Sequence, residues 1–495
     1  MKSARIPRTL STQHPDNVKI PFFANGPVLR GDDEIKEAFY AFSNLGVEEI
    51  MWDSEGKEAD DFVIRKLITD YKLFFEKKRI GKDVFINIRI PNPKYERAEA
   101  KILLETLESI PRSYDTAALF YGDGKYPPIF EVVVPMADGD IIKKIRDYYK
   151  NIVIGKEKMR FVDGETGTVG EWIGHFRPSR INVIPLFEDI DSMLNAATTL
   201  RSFLRGQKAG YQRVFLARSD PAMNYSSAAV ILSLSIALEK LHDLQNETGV
   251  PIYPILGCGS APFRGHLMPG TAEYVLEKYP SVATFTIQSA FKYDFPVKKV
   301  QAAIELINQT PVRAPVRVED PARALKIVHK ISREYQRQIR LLAPLINELA
   351  PYVPKRRMRK LHTGLFGYSR ELKEGISLPR VISFCAVLYS LGLPPDMIGM
   401  NVLTEDEIKV VHGSYSRFED NLRDAMRWWD PHVLQIVPPK IRKDIQNVAD
   451  RYGDHGNKEY RSLSGEMIRC VKKNHFGSHV TDLITAAGSV RGFLG

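Results

Sequence analysis

Short runs of apolar, β-branched and aromatic residues recur along the amino-terminal part of the chain and predict a series of buried strands. The runs are Glu49–Trp52, Val84–Ile90, Phe130–Val134, Ile181–Phe187, Arg213–Ala217, Ile252–Leu256 and Ala283–Ile287. The segments between them carry apolar residues at helical spacing, as in Ile35–Leu45, Ala59–Lys78, Met193–Arg205 and Ala228–Leu241. Nearly continuous apolar strands that alternate with helices are typical of a parallel sheet with helices on both faces.

The number of these strand–helix units favours one fold class. Seven units in series favour a (βα)₈ barrel of the TIM type over a doubly wound open sheet. The eighth strand is not evident from the pattern, and we expect it near Thr363–Gly367.

From about Arg323 onward the pattern becomes helical. It predicts helices over Ala324–Leu349, Leu378–Leu391 and Ile441–Arg451. The predicted organisation is an N-terminal segment with a leading helix (residues 1–45), a barrel body (46–322) and a helical extension with the C-terminal tail (323–495).

Composition agrees with a folded protein. Of the 495 residues, 44% are hydrophobic and 26% are charged, which excludes disorder as the dominant state. The cysteines Cys258, Cys385 and Cys470 form no CxxC pair, so we expect neither a thiolate zinc site nor a disulfide framework. The apolar segments are too polar or too short for a membrane span, and no secretory signal is recognisable. We expect a soluble protein of the reducing cytoplasm with no membrane partner.

The net charge of +10 raises the question of a nucleic-acid partner. The charge is spread thinly, and the one dense basic run is Lys355–Lys360. Such a run is compatible with a phosphate or nucleic-acid patch, but no aromatic stacking pattern surrounds it. The preferred interpretation is a solvated helix face, and no nucleic-acid partner is expected.

Polar, charged or glycine residues follow nearly every predicted strand. They are Trp52-Asp53, Arg89, Met136-Ala137-Asp138, Glu188, Arg218-Ser219-Asp220, Gly257-Cys258-Gly259 and Gln288. In a (βα)₈ barrel the active-site groups lie at the carboxyl ends of the strands. One such residue carries little information, but a ring of them predicts a site.

Glu188 and Asp220 follow consecutive predicted strands, which would lie ~4.8 Å apart. Each has another interpretation: Asp220 before Pro221 is a good helix N-cap, and Glu188 could begin the next helix, where Asp191 is a better cap. Together they favour a shared hard cation, held by carboxylate oxygens with positions left for substrate and water. A Mg²⁺ ion there would suit the stabilisation of an enolate.

Five segments carry a family resemblance. Asn182–Asp191 (NVIPLFEDID) is similar to the VVPLFETLDDL motif of phosphoenolpyruvate carboxylases, and Arg218-Ser219-Asp220 falls where their GYSDS metal-binding motif would fall. Ser11–Asp16 (STQHPD) resembles their TAHPTE motif, Asn87–Arg89 their DIR segment and Ser377–Ile382 their SLRAIP motif. The order of the motifs is the same. The length and the segments STQHPDN and GSAPFRG resemble the short, archaeal-type family members.

The resemblance implies a barrel enzyme that joins phosphoenolpyruvate and bicarbonate to give oxaloacetate and phosphate, an anaplerotic fixation of CO₂. It implies Mg²⁺ or Mn²⁺ as cofactor and a homotetramer. Bicarbonate would attack phosphorus, and the resulting carboxyphosphate would release CO₂ to a metal-stabilised enolate of pyruvate.

The resemblance also assigns roles to residues of this chain. Glu188 and Asp220 would hold the metal. The catalytic residues would be His14, Arg89, Arg264 and Arg380. Arginine suits a migrating phosphate because its guanidinium is a planar, permanently charged fork. Trp52, Arg218, Arg370 and His266 would line the substrate site.

One loop departs from the family pattern. The larger enzymes carry FHGRGG on a glycine-rich loop, whereas Leu256–His266 retains the Arg-Gly pair as Arg264-Gly265 and lacks the early histidine. Transfer of the loop histidine's role to His266 is therefore open, and His14 is favoured as the essential histidine. The bland interpretation of His14 is a turn residue, because Pro15-Asp16-Asn17 is strong turn chemistry.

Two rival functions remain. Another Mg²⁺-enolate barrel enzyme, such as an aldolase or lyase of the pyruvate type, would share Glu188 and Asp220 but would not need several arginines and an N-terminal histidine. A basic nucleic-acid-binding protein centred on Lys355–Lys360 would leave the strand-end carboxylates unexplained.

Overall fold

Eight parallel strands close into a barrel in the computed structural model, which describes residues 5–54, 62–160, 167–206, 209–358, 371–372, 376–415, 418–453 and 455–495. The strands are β1 (Thr9–Ser11), β2 (Glu49–Asp53), β3 (Phe85–Arg89), β4 (Glu131–Val134), β5 (Asn182–Phe187), β6 (Gln212–Leu216), β7 (Ile252–Leu256) and β8 (Thr284–Ile287). Each pairs with the next in sequence, and β8 pairs with β1. The (βα)₈ fold class and the seven predicted strands are confirmed.

The remaining strand is β1, which lies near the amino terminus. Leu10 aligns with Glu49 of β2 on one side and with Thr286 of β8 on the other, so β1 closes the barrel. The expectation of a strand near Thr363–Gly367 is therefore wrong for the barrel, and that segment lies outside the described residues. The barrel thus begins within the predicted N-terminal segment, while the other domain limits stay predictions.

Helices cover the outside of the barrel. They are α1 (Asp32–Tyr40), α2 (Val63–Asp70), α3 (Lys72–Phe75), α4 (Ala100–Tyr121), α5 (Gly139–Tyr148), α6 (Val169–Ile173), α7 (Ile190–Leu194), α8 (Ala196–Leu204), α9 (Ser219–Tyr225), α10 (Ser227–Thr248), α11 (Ala272–Lys278), α12 (Ser289–Tyr293) and α13 (Val297–Gln309). The start of the predicted helix Ala59–Lys78 lies outside the described residues.

The carboxyl-terminal part is helical, as the pattern predicts. Its helices are α14 (Pro321–Leu349), α15 (Val381–Ser390), α16 (Glu405–Ser414), α17 (Phe418–Met426), α18 (Pro439–Tyr452), α19 (Lys458–Lys472) and α20 (Ser478–Arg491). A short antiparallel pair, β9 (Glu371–Leu372) and β10 (Ile376–Ser377), precedes α15. The long helix α14 packs against α10 and α9, which joins the extension to the barrel.

Alternation along the strands determines which side chains point toward the barrel axis. Leu10, Met51, Ile184, Leu186 and Phe215 belong to one buried cluster inside the barrel, whereas their sequence neighbours pack against the helices. Successive side chains of a strand point to opposite faces. In each strand, the residue two positions after the last interior residue of this cluster therefore also faces the axis. These residues lie at the carboxyl end of the barrel, where the strands end.

An ionic layer fills the opposite end of the barrel interior. Arg213 of β6 pairs with Glu49 of β2 and with Glu131 of β4, each at 2.6 Å, and donates to Thr284 Oγ1 of β8 at 3.2 Å. Four side chains from alternate strands form one layer of a (βα)₈ barrel. Burial alone would lower the pKa of Arg213, but the two carboxylates outweigh it and raise that pKa.

Arg213→Met is expected to lower the free energy of unfolding by about 3–5 kcal/mol, because it leaves two buried carboxylates without their cation. Urea unfolding of the variant and the wild type measures this. The control is Arg201→Met, which removes the exposed pair with Glu247 and should change stability little. Equal losses in both variants would contradict the importance of the ionic layer.

In the described part of the basic run, residues 355–358, the two arginines lie neither on a solvated helix face nor in an exposed cationic patch. Arg356 and Arg357 are buried and non-helical. Arg357 forms ion pairs with Glu34 at 3.1 Å and Glu37 at 2.8 Å on α1. Arg359 and Lys360 lie outside the described residues. Arg357 therefore joins the extension to α1, because the two glutamates of α1 neutralise its buried charge.

The structure also describes the three cysteines and the apolar helices. Cys258, Cys385 and Cys470 are buried and free. Within the described ranges no single helix is long and apolar enough to cross a membrane, and one sharply bent pair, Val381–Ser390 with Pro395–Val402, passes by length and composition alone.

Candidate active site at the carboxyl end of the barrel

Asp53 and Arg89 begin the ring of polar residues at the carboxyl end of the barrel. They follow the interior residues Met51 and Asn87 by two positions, so both face the axis. Their side chains are 3.7 Å apart and largely buried. Ser54 donates to the carbonyl oxygen of Arg89 through its backbone N–H (3.1 Å) and its hydroxyl (2.6 Å), which holds the end of β3. The pair places one guanidinium at the barrel mouth.

Glu188 directly follows β5, two positions beyond the interior residue Leu186. It is 6% exposed and faces the axis by the same alternation. The next residue, Asp189, caps α7 by accepting a hydrogen bond from the Ser192 backbone N–H at 2.9 Å. Glu188 is therefore not the helix cap, and Asp191 is not the cap either.

Asp220 lies one strand along from Glu188. Phe187 of β5 aligns with Leu216 of β6, so the two carboxylates leave adjacent strands. Asp220 is half-buried in the first turn of α9, whose N-cap is Arg218 without a side-chain cap. The alternative of Asp220 as an N-cap is thus wrong.

The carboxylates of Glu188 and Asp220 are the candidate ligands for a divalent cation at this position. Among the described residues, no group of three or more His, Cys, Asp or Glu side chains is arranged to hold a metal ion. Mg²⁺ is commonly bound through one or two carboxylates, with substrate oxygens and water completing its octahedron. Glu188 and Asp220 fit that mode and do not fit a site made entirely of protein ligands.

Arg264, on the loop after β7, connects four separate parts of the chain. Its guanidinium donates to Ser219 Oγ (3.2 Å), Asp16 Oδ2 (3.1 Å), the backbone oxygen of Gly495 (2.7 Å) and Gln288 Oε1 (2.6 Å). The side chain is fully buried. Four of its five N–H groups are therefore in use. One of its partners, Ser219, directly precedes Asp220, so Arg264 also positions the start of α9.

Asp16 is the anionic partner of Arg264 and is fully buried. Its other oxygen accepts from the Ala290 backbone N–H at 2.7 Å, at the start of α12. Burial raises the pKa of Asp16, although the charge of Arg264 opposes the rise. The last turn of the histidine motif is thus fixed to the loops after β7 and β8.

Arg380 belongs to the helical extension, at a helix start that lies near Gly495. It directly precedes α15, and the carbonyl oxygen of Ile382 in that helix lies against Gly495. A side chain at position 495 would overlap that oxygen, so glycine is required there. Because Gly495 also accepts from Arg264, the start of α15 lies beside the site. Arg370 lies outside the described residues.

His14 follows β1 and is half-buried. Its Nδ1 lies 2.9 Å from Thr12 Oγ1, and its carbonyl oxygen accepts from the Ser289 N–H at 3.4 Å. The buried Lys292 donates to the Thr12 carbonyl oxygen at 3.2 Å. These bonds hold the histidine segment at the carboxyl end of β1, in the ring of strand ends.

Three predicted substrate residues are buried among the elements outside the barrel strands' interior cluster. Trp52 packs in the core between the barrel and its helices. Arg218 lies between β6 and α9 and donates to Ser227 Oγ at 3.2 Å. His266 is 3% exposed with φ 61°, and its Nδ1 is 3.4 Å from Asn421 Oδ1 of the extension. Burial, assisted by the charge of Lys278, lowers the pKa of His266 to about 3.

Sequence reasoning missed the partners that fix the site. Asp16 and Ser219 belong to motifs of the resemblance, but the sequence predicts no contact of either with Arg264, and it predicts no role for Lys292. The residue types carried a weak signal, since a buried lysine or aspartate needs a partner. The partners of Arg264 come from distant parts of the chain, which the pattern of one segment does not reveal. Asp138, another strand-end residue, caps α5 by accepting from Ile141 N.

Comparison with known proteins gives a consistent result. The family model described as phosphoenolpyruvate carboxylase matches residues 6–495. The phosphoenolpyruvate carboxylase of Methanospirillum hungatei is 48% identical over 492 residues, covering 99% of this chain and 100% of that protein. Those of Methanothermobacter thermautotrophicus and Halobacterium salinarum are 47% and 43% identical and cover 100% and 95% of their own lengths. Among solved structures, an HpcH/HpaI aldolase from Desulfitobacterium hafniense has a TM-score of 0.33 at 13% identity, covering 62% of this chain and 94% of its own.

Proposed function

Since the chain belongs to the phosphoenolpyruvate carboxylase family and is thus a carbon–carbon lyase, we propose that it joins phosphoenolpyruvate and bicarbonate to give oxaloacetate and phosphate. This proposal rests on the family model, which matches residues 6–495, nearly the whole chain. The polar ring at the barrel mouth supports it, because that ring includes a guanidinium, two carboxylates on adjacent strands and a histidine.

The proposed reaction has two steps. A bicarbonate oxygen attacks phosphorus and the bond from phosphorus to the enol oxygen breaks, which gives carboxyphosphate and the enolate of pyruvate. Carboxyphosphate then breaks down to CO₂ and phosphate, and the enolate carbon forms the new bond to CO₂. A bound Mg²⁺ or Mn²⁺, held by Glu188 and Asp220, would stabilise the negative charge of the enolate oxygen.

We assign phosphate binding to the arginines. Arg89 faces the axis, and its neighbour Asp53 at 3.7 Å orients the guanidinium. Arg264 has one N–H left beyond its four bonds, so it contributes through that group and through the segments it positions. Arg380 would approach from the start of α15, at the edge of the mouth.

Proton transfer is assigned to His14. Nδ1 lies 2.9 Å from Thr12 Oγ1, and we assign the other nitrogen, Nε2, to accept the proton of carboxyphosphate as it breaks down. The low pKa and the surroundings of His266 disfavour that residue for this role, because an imidazole with a pKa of about 3 is a poor base near neutral pH.

A coupled assay tests the activity directly. Phosphoenolpyruvate, bicarbonate and Mg²⁺ together should give oxaloacetate, and removal of bicarbonate or chelation of the metal should abolish it. Equal turnover after bicarbonate is stripped out would overturn the carboxylase proposal. Aldol cleavage that releases pyruvate, in its place, would favour the rival aldolase or lyase.

Arg89→Lys and Arg380→Lys are each expected to lower kcat/KM by about 10–100-fold, because an ammonium cannot reproduce the bidentate geometry of a guanidinium. Arg264→Lys is expected to have an effect of the same size, because the three N–H groups of lysine cannot keep the four hydrogen bonds of Arg264. Steady-state kinetics with phosphoenolpyruvate measure this. Arg201→Lys, in the exposed pair with Glu247, is the matched control and should be unaffected. Tolerance of lysine at all three positions would refute the phosphate-binding role.

We also propose a homotetramer in the cytoplasm, which rests on the family resemblance. Closed symmetric assemblies are common among enzymes. Sedimentation of the active enzyme should give about four times the mass of the 56.2 kDa chain. A fully active monomer would refute the tetramer.

A further inference from the structure

A groove of about 650 Å³ runs along the outer face of α14, in the helical extension. Basic side chains dominate its lining: Lys326, His329, Lys330, Arg333, Arg337 and Arg340. Among the residues that the structure describes, the lining also holds one carboxylate, Glu334, and one aliphatic side chain, Val402. The groove therefore carries a large excess of positive charge.

The basic residues form one stripe because of their spacing. Relative to Lys326 they stand at positions +3, +4, +7, +11 and +14, which places them on one side of a helix. The opposite side of α14 is apolar and buried, and Tyr335 on it donates to the carbonyl oxygen of Met223 in α9 at 2.9 Å. The stripe from Lys326 to Arg340 is about 21 Å long, at 1.5 Å per residue.

Only part of this charge is neutralised within the described chain. Lys330 pairs with Glu407 at 2.7 Å, and Arg337 pairs with Glu334 at 2.6 Å and Asp444 at 2.5 Å. The exposed side chains of Lys326, His329 and Arg333 have no ion pair or hydrogen bond to the residues that the structure describes. Lys326 and Arg333 are two helical turns apart, which is about 10.5 Å along the axis.

We propose that this groove binds a small molecule that carries two or more linked phosphate groups. Lysine and arginine are the side chains that bind phosphate. The basic stripe extends over about 21 Å of helix, which is several times the width of one phosphate group, so it offers cations to more than one phosphate. The volume lies within the range of small-molecule sites. A nucleic acid fits less well, because the described lining holds no Phe, Tyr or Trp side chain for base stacking. The groove lies on the outer face of α14, and this proposal is independent of the carboxylase activity.

Calorimetric titration of the full chain with inorganic triphosphate and with adenosine triphosphate tests the proposal. The double variant Lys326→Ser/Arg333→Ser should bind triphosphate at least about tenfold more weakly than the wild type. The control Lys298→Ser/Lys299→Ser removes the same charge from the exposed start of α13 and should bind like the wild type. Binding of both ligands supports a nucleotide-class ligand, and binding of triphosphate alone supports an inorganic polyphosphate.

Three results would overturn the proposal: no binding of either ligand by the wild type, equal weakening in both double variants, or salt-sensitive RNA binding at the groove without triphosphate binding. Oxaloacetate formation and thermal unfolding should be unchanged in both variants. If the double variant loses stability, Arg333→Gln alone should still weaken triphosphate binding severalfold. A wild type that binds triphosphate but makes no oxaloacetate would refute the proposed function and leave the groove assignment intact.

Discussion

Glu188→Ala and Asp220→Ala are each expected to lower oxaloacetate formation about a thousandfold while the protein stays folded. The two carboxylates leave adjacent strands, and Glu188 faces the barrel axis. Loss of either would remove a ligand of the proposed cation, whose charge stabilisation amounts to several kcal/mol of the barrier. Initial rates across a Mg²⁺ titration measure the effect, and Mn²⁺ binding measured by electron paramagnetic resonance reports the metal site itself.

The neighbouring carboxylate offers a matched control for these variants. Asp189 is one residue from Glu188 but caps α7, so Asp189→Ala should cost about 1 kcal/mol of stability and keep the metal dependence. Near-normal rates at saturating Mg²⁺ in Glu188→Ala or Asp220→Ala would show that the metal site is misplaced.

His14→Asn is the second variant with a large expected effect. It should still bind Mg²⁺ and phosphoenolpyruvate but form oxaloacetate at least about a hundredfold more slowly, since general acid–base catalysis contributes 10²–10⁴-fold. Carboxyphosphate formed without capture of CO₂ leaves an enolate that water protonates. The variant is therefore expected to divert to bicarbonate-dependent release of pyruvate, which separate assays of pyruvate, phosphate and oxaloacetate detect.

His266→Asn is the counterpart of this experiment. Burial lowers the pKa of His266 to about 3, so the residue stays neutral at working pH and should contribute no titration near pH 6–7 to kcat/KM. We expect the variant to keep most of its activity, with some loss of stability from the buried contact with Asn421. A dead His266→Asn beside a fully active His14→Asn would reverse the assignment and move the chemistry to the loop.

The barrel could be predicted from the sequence because seven of its strands are buried on both faces and read as apolar runs. Strand β1 could not be predicted from the apolar pattern, because Thr9–Ser11 has only three residues and two of them carry hydroxyl groups. Its conformation depends on hydrogen bonds to β2 and β8, whose paired residues are 39 and 276 positions away in the sequence. Pairing of this kind leaves almost no local signal.

The sequence predicts the part of the candidate site in which alternation along a strand determines the direction of a side chain. Glu188 and Arg89 end strands whose interior positions are fixed, so their direction follows from the period of two. The period also turns Trp52 outward, although it stands near the end of β2. Arg218 follows β6 with helical backbone angles, so the period does not determine the direction of its side chain. The role of Arg264 as a junction could not be predicted, because Asp16, Gln288 and Gly495 meet it only in the folded chain.

The most direct test of the proposed chemistry follows oxygen atoms from bicarbonate labelled with ¹⁸O. Attack of a bicarbonate oxygen on phosphorus transfers one of its three oxygens to phosphate and leaves two in the new carboxylate of oxaloacetate. Mass spectrometry of the products, taken before exchange with water, should therefore find one ¹⁸O in each phosphate. Unlabelled phosphate from labelled bicarbonate, or phosphate that takes its label from water, would contradict the carboxylation mechanism that we propose for this barrel.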